Sequence, residues 1–573
     1  MIKIPFKTAS CDYDPTGACG RSEVFKKAAW PLYILALIFI FSSPASAQKQ
    51  KAENGVPVQP EVQEPAQVES ELNAAPEISF GLGDVEKLAQ RLAGQNYEKT
   101  NGKQFLKDIS ENKWNAISFK KEHRLWADTD SSFEASFFHP GFIYNNLARV
   151  EVVENGRPRP FNFSSDFFNY PDQDLAAAAK SAGLEFTGFR ISYPLNDAEK
   201  KDEALSFLGA THFRALAKRS QYGLEARGLI INPAQPDGEE FPYFRRFWLV
   251  EPEAGAASMT IYALMDSPSL TGAYQFDLSP GPTTIMEVTA TIFRRSNKNI
   301  PTKIGLAPIG SMYLFSEKEN GNKNDWRPEV HNSDILLWTD GNGNWYRRPL
   351  ANPDRLETST YELNNPKGFG LMQQDNNFDH YQDFSGRFDL RPSLWVEPDG
   401  EWGPGQIELL EIPASQEIHN NIIAFWAPTG DQTLKNSFTI GYKLYWMPSG
   451  TIPHQFGRAV NTRLKRNTEA GTLHFLVDFE GGILNDIPAD SGLASIVETS
   501  AEVAVQDKNL VKNPVTGGWR LEFKVKPVEN NGVMQSLLNA RGDRKNLRLK
   551  ALLKRGENLP EALTETWIYD QSY

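Results

Sequence analysis

FTIGYKLYWMPSGTIP, residues 438–453, reads as a strand that runs into a break. Residues 438–445 have the apolar and aromatic character that a pleated, half-buried surface favours. Pro448, Gly450 and Pro453 follow in quick succession, and a proline has no N–H to give to a sheet ladder. We place a domain boundary there: a strand-built domain over 78–447, a linker over 448–457 and a smaller domain over 458–573. With 573 residues, the chain is also longer than one growing hydrophobic core sustains.

Outward from that break the texture is the same. The 37 prolines and 42 glycines fall mostly between short apolar runs, a pattern of many strands and tight turns. Strand-like stretches stand at 117–119, 133–138, 229–231 and 288–293. Beyond the break they recur at 473–479, 501–505, 519–525, 547–553 and 565–569, with Gly517-Gly518 as a hairpin turn before Trp519. Two short helices are expected. One spans 85–93, capped by Asp84 and closed by Gly94; the other spans 174–182 and ends at Gly183. No repeat of fixed period supports a propeller or solenoid. The expected fold is all-β, and the tail has the size and strand spacing of an immunoglobulin-like sandwich.

The N-terminus reads differently. Lys26 and Lys27 precede an apolar run over 28–41, and Ala45-Ser46-Ala47 supplies a small-residue cleavage site. Basic flank, short apolar stretch and A-x-A site describe a Sec-type signal peptide over 1–47, so the expected location is the periplasm. The run is too short to cross a bilayer comfortably. Residues 48–77, rich in Gln, Glu, Pro, Ala and Val and without an aromatic, read as a flexible linker. Cys11 and Cys19 both precede the cleavage site, so disulfides and thiolate chemistry drop out of the mature chain. Cleavage also removes five basic and three acidic residues, taking the formal charge from −12 to −14. Such a surface repels phosphate backbones and anionic lipid, which argues against nucleic acid as a partner.

Several chemistries are missing. The eight histidines are scattered, with no paired-His helix, so no metal site and no cofactor are expected. Asp340-Gly341-Asn342-Gly343-Asn344 suggests a calcium loop, but Trp345 stands where the loop needs glycine; a hairpin turn between Trp338 and Trp345 fits better. There is no G-x-S-x-G elbow, phosphate loop or dinucleotide fingerprint.

What remains is three clusters of charged, amide and aromatic residues. The first holds Arg214 and Tyr222; the second Trp326, Arg327, Glu329, His331, Asn332, Asp334 and Arg348. The third holds Asp379, Tyr381, Asp383, Arg391, Trp395, Glu411, Glu417, Asn420 and Trp426. Arginine and carboxylate beside flat rings suit a sugar groove, where rings stack on C–H faces and charges bond hydroxyl pairs. The plainer reading is that these are ion pairs and rings locking a large sandwich; for Trp395 in particular, stacking and core packing both remain open.

Eight stretches bring a family into view: FLGATHFRAL (207–216), QYGLEARG (221–228), GEEFPYFRRFWLVEP (238–252), WRPEVHNSD (326–334), RRPLANP (347–353), GFGLMQQDNNFDHYQD (368–383), LRPSLWVEP (390–398) and EIHNNIIAFW (417–426). In this order they closely resemble the periplasmic glucan biosynthesis proteins G and D, from about residue 78 to the C-terminus. The resemblance implies a large galactose-mutarotase-like β-sandwich followed by a smaller immunoglobulin-like one. It also implies a role in building osmoregulated periplasmic glucans, whose backbone is β-1,2-linked glucose, with the membrane glucosyltransferase of that synthesis as a partner. Some members hydrolyse β-1,2-glucan with inversion and others are transglycosylases.

The same resemblance exposes a departure. Active members carry an acidic residue directly after the His of W-R-P-E-V-H, and a general acid just before the Asn-Ile-Val-Ala segment. The aligned positions here are Asn332 and Asn420. An amide cannot exchange a proton in the range that glycoside hydrolysis requires. Asp334, two residues along a strand from Asn332 and so on the same face, is the expected replacement if chemistry survives. Three readings follow: a glucan-binding protein that kept its groove but not its chemistry, an active hydrolase or transglycosylase using another carboxylate, and a scaffold with a vestigial groove.

Overall fold

The computed structural model describes residues 79–573, apart from 100–101, 297–299, 318–324, 418–419, 431–434, 468–470, 500–502, 528–545, 557–560 and 573. The expected signal peptide and the whole of the expected linker over 48–77 lie outside the described residues.

The fold is all-β, built on two large sheets laid face to face. One runs Glu134–Phe137, Gly188–Asp197, Lys200–Leu208, His212–Ala215, Glu225–Arg227, Ile304–Ser311, Ile422–Pro428, Gly405–Glu411 and Glu357–Leu363, with Leu229–Ile231 also paired to Ile304–Ser311. The other has fourteen strands, and Ser437–Met447 lies inside it between Ser393–Asp399 and Thr284–Arg294. Alternation along Ser437–Met447 sends Ile440, Tyr442, Leu444 and Trp446 inward. They join one continuous core with Phe207, Phe213, Phe276, Ile407 and Trp426, contributed by both sheets. The opening stretch of sequence is thus a central strand, and its period of two is the reason.

The two expected helices form with shifted starts. Leu82–Ala93 begins earlier than read, because Asp84 is not its first cap: its carboxylate reaches back to the Gly81 N–H at 3.2 Å from inside the first turn. Gln173–Ser181 is capped by Asp172, which accepts from the Leu175 N–H at 2.8 Å.

After Gly457 the chain builds a second core. Arg458–Asn467, Thr472–Glu480, Trp519–Pro527 and Val503–Lys512 form a four-stranded sheet. Its Phe475, Val477, Leu521 and Phe523 pack on Leu547, Leu549, Leu553 and Trp567 from the facing layer. That facing layer, Leu493–Thr499, Asn546–Arg555 and Thr566–Ser572, is not a separate sheet: Thr566–Ser572 pairs in parallel with Trp345–Pro349, Arg347 opposite Trp567, and so extends the fourteen-stranded sheet. Inside the junction Glu565, fully buried, binds Arg347 and His454.

Candidate functional site

Loops leaving four neighbouring strands meet. Asn421 draws two of them together: its Oδ1 accepts from the Tyr313 N–H at 2.8 Å, and its Nδ2 donates to the Tyr313 and Ile412 carbonyls at 2.9 and 3.1 Å. On the other side of the same backbone the Asn332 N–H donates to the Met312 carbonyl at 2.7 Å. Asn332 and Asn420 therefore flank the Met312–Tyr313 stretch. Both turn to the segment that carries Gly223 and Glu225. Asn332 Nδ2 stands 3.5 Å from the Gly223 carbonyl, and the Asn420 amide lies close enough to Glu225 to stabilise its carboxylate. Asn332 Oδ1 is buried and has no hydrogen-bond partner.

Glu225 is the electrostatic centre. It sits on Glu225–Arg227, opposite Gly310, where a Cβ would come within 3.0 Å of its side chain. Glycine there makes the room. Arg214 Nη2 and Arg227 Nη2 donate to its two oxygens at 3.2 and 3.4 Å, and His212 Nε2 lies 3.6 Å away. Burial works to raise this carboxyl, but His212, Arg227, Arg214 and Asn420 outweigh it and hold Glu225 at about 2. Burial, with Arg227, pulls His212 down to about 4. Beside the cluster, Tyr222 donates to Glu203 at 2.8 Å. Arg391 packs on Gly223 and bonds the Gly386 carbonyl; burial and the nearby Arg214 lower it to about 10.

A second knot surrounds Arg327. Its guanidinium holds Asp325 at 2.7 Å, Asp383 at 2.8 Å and Glu417 at 2.6 Å. Burial tends to raise Asp383, yet the Gly386 N–H and Arg327 keep it below the ordinary carboxylate range. Two rings stand open to solvent here, Trp326 at 71% and Phe384 at 84% exposure.

Other residues singled out from sequence do not face this region. Trp426 is fully buried in the main core, and Trp395 is 5% exposed, stacked on Trp345 at 5.4 Å. Neither ring has a face free for a sugar, so core packing is the correct reading of both. Arg348 and Glu411 close on each other as a buried bidentate pair, away from solvent. Tyr381 is fully buried, donating to the Asp375 carbonyl and accepting from Gln373. His331, 1% exposed, lies between Gln373 Oε1 at 2.9 Å and Glu329 Oε2 at 3.2 Å. Asp379 is exposed and bonds only its own turn, through Gln382. Asp334 accepts from the Gln374 N–H at 3.1 Å, whereas Asn332 turns to Gly223.

Sequence spacing missed two features. Glu329, Asp375 and His380 converge although they come from separate segments. A cavity of about 570 Å³ opens beside Leu390, lined by Lys218, Arg219, Asn376, Asp389 and Ser449 among others. Neither is visible as a linear motif.

The family described as "Periplasmic glucan biosynthesis protein, MdoG" matches residues 80–571. The chain belongs to the periplasmic glucan biosynthesis protein family. Its relatives include Glucans biosynthesis protein G of Pseudomonas paraeruginosa, 37% identical over 510 residues, covering 87% of this chain and 93% of that one. Glucans biosynthesis protein G of Serratia proteamaculans is 36% identical over 515 residues, covering 87% and 94%. Among solved structures, the GH36 α-galactosidase AgaA of Geobacillus stearothermophilus aligns at 8% identity and a TM-score of 0.21 over 38% of this chain and 30% of its own. Membership of a periplasmic glucan biosynthesis family implies a periplasmic protein.

Proposed function

We propose that this chain binds β-1,2-linked glucan in the periplasm and guides the polymer during its synthesis without cutting it. The observation that carries this reading is the pair of amides. Asn332 and Asn420 flank one stretch of backbone and face the same segment, Asn332 with a buried oxygen that has no hydrogen-bond partner and Asn420 with its amide against Glu225. A polyhydroxylated ligand supplies the missing donor, while neither amide can move a proton between leaving group and water. Two of the carboxylates near them favour the same conclusion. A general acid needs a raised pKa, and Glu225 and Asp383 are both held low by cations and N–H groups. The exposed rings of Trp326 and Phe384 give sugar faces a place to stack.

Export by a Sec-type signal over 1–47 delivers the mature chain to that compartment, and the membrane glucosyltransferase is the partner that hands over the nascent polymer. Mature protein incubated with linear β-1,2-glucan is expected to give saturable binding by calorimetry and no new reducing ends. New reducing ends or cyclised products would instead establish a hydrolase or transglycosylase using a different carboxylate. Absence of both binding and turnover would leave a scaffold.

A further inference from the structure

Glu329, at the start of Val330–His331, meets Asp375 from the loop after Gly368–Met372 and His380 from the short helix Phe378–Tyr381. One carboxylate oxygen of each acid and one imidazole nitrogen all lie within 4.8 Å of one another. The Glu329 side chain is 7% exposed. Its Oε2 meets His331 at 3.2 Å, but its Oε1 is buried without a hydrogen-bond partner. His380 Nδ1 stands 3.9 Å from that oxygen and is already engaged by Asp375 at 2.5 Å. Two carboxylates thus compete for one N–H and stand close enough to share a proton; with both ionised, the more buried of them keeps an oxygen aimed into the cluster with no donor. A buried carboxylate oxygen in that position calls for a positive centre.

We infer that Glu329, Asp375 and His380 form a binding site for a divalent transition-metal ion of the zinc or manganese kind. One imidazole and two carboxylates suit such ions better than magnesium or calcium, which prefer all-oxygen shells. Ligand atoms about 2.1 Å from one ion stand roughly 3.4 Å apart in a tetrahedron, so small side-chain rotations close the three donors on it. On binding, the proton on His380 Nδ1 leaves to solvent and that nitrogen ligates. The ion fastens the loop that leads from Asp375 to Asp383, the acid that grips Arg327. This assignment stands independently of whether the chain binds glucan.

The test uses the purified mature chain, stripped with a chelator and titrated with Zn²⁺, Mn²⁺ and Ca²⁺ by calorimetry, with melting followed in parallel. The expected result is one ion per chain, zinc or manganese binding more tightly than calcium, and a higher melting temperature that chelation reverses. Glu329→Gln and His380→Ala should each weaken uptake by at least about tenfold with the circular dichroism spectrum unchanged. His474→Ala, in the C-terminal four-stranded sheet, should bind as the parent does. No saturable uptake overturns the assignment, as does tightest binding of calcium or uptake that Glu329→Gln and His380→Ala leave intact.

Discussion

Asn420 lies beside a carboxylate that stays ionised down to about pH 2, and this makes its replacement informative. In Asn420→Asp the new carboxyl faces Glu225, and like charges at close range push the more easily protonated group upward. A raised carboxyl is what a general acid needs. Asn420→Asp combined with Asn332→Asp is therefore expected to release reducing ends from linear β-1,2-glucan where the parent releases none, with activity falling as pH rises through the new group's pKa. An inert double variant that still binds glucan would show that the amides contact sugar away from any scissile bond. His139 offers a pH test of stability. Burial among Phe163, Phe168 and Tyr170 outweighs its bond to the Pro140 carbonyl and holds it at about 4, below its ordinary 6.5. The folded imidazole stays neutral while the unfolded one takes up a proton. Its contribution is thus full above pH 6.5, is lost as pH falls towards 4, and changes no further below that. The loss is roughly 3 kcal/mol. Urea titrations of His139→Gln should show a flatter fall over that window than the parent.

Gly368–Met372 and Ser393–Asp399 show how one strand constrains the next. Trp395 lies across Gly368 and Gly370, where added Cβ atoms would stand 2.2 Å from its ring and 2.5 Å from the Leu394 carbonyl. The two glycines make the berth that lets Trp395 stack on Trp345. Trp395→Ala should accordingly destabilise the fold by about 3–5 kcal/mol in denaturant titration, and leave glucan affinity of the folded fraction unchanged. The sequence left Trp395 undecided because an aromatic beside Arg and Pro reads the same in a groove and under a sheet. Partners distant in sequence decide it, and periodicity does not show them. Where local rules act alone the reading was sharp: Leu229–Ile231 forms as written, and Asp340 closes the turn between Ile335–Thr339 and Trp345–Pro349 by accepting from the Asn342 and Asn344 N–H groups. Arg458–Asn467 escaped notice as a strand because its charged, solvent-facing residues mask the alternation. The motifs around Asn332 and Asn420 were legible through resemblance, whereas the Glu225 charge cluster and the Glu329, Asp375 and His380 convergence depend on long-range folding.

Across the whole molecule, the second core is coupled to the first through Arg347. Its guanidinium is buried between Glu565 and Gln374, and the Gln374 N–H in turn binds Asp334 beside the candidate site. Glu565→Gln strips the counter-charge from a buried arginine, which should cost about 3 kcal/mol in urea unfolding, with spectral probes of the two cores shifting together. Thr566–Ser572 belongs to this junction as well, an interior member of the fourteen-stranded sheet with neighbours on both edges. This strand is therefore not an ornament on a finished body but the seam that closes it. Closing it joins two segments far apart in sequence, Trp345–Pro349 and Thr566–Ser572, a long-range pairing that is slow to form. Until those two segments meet, the fourteen-stranded sheet stays open between them.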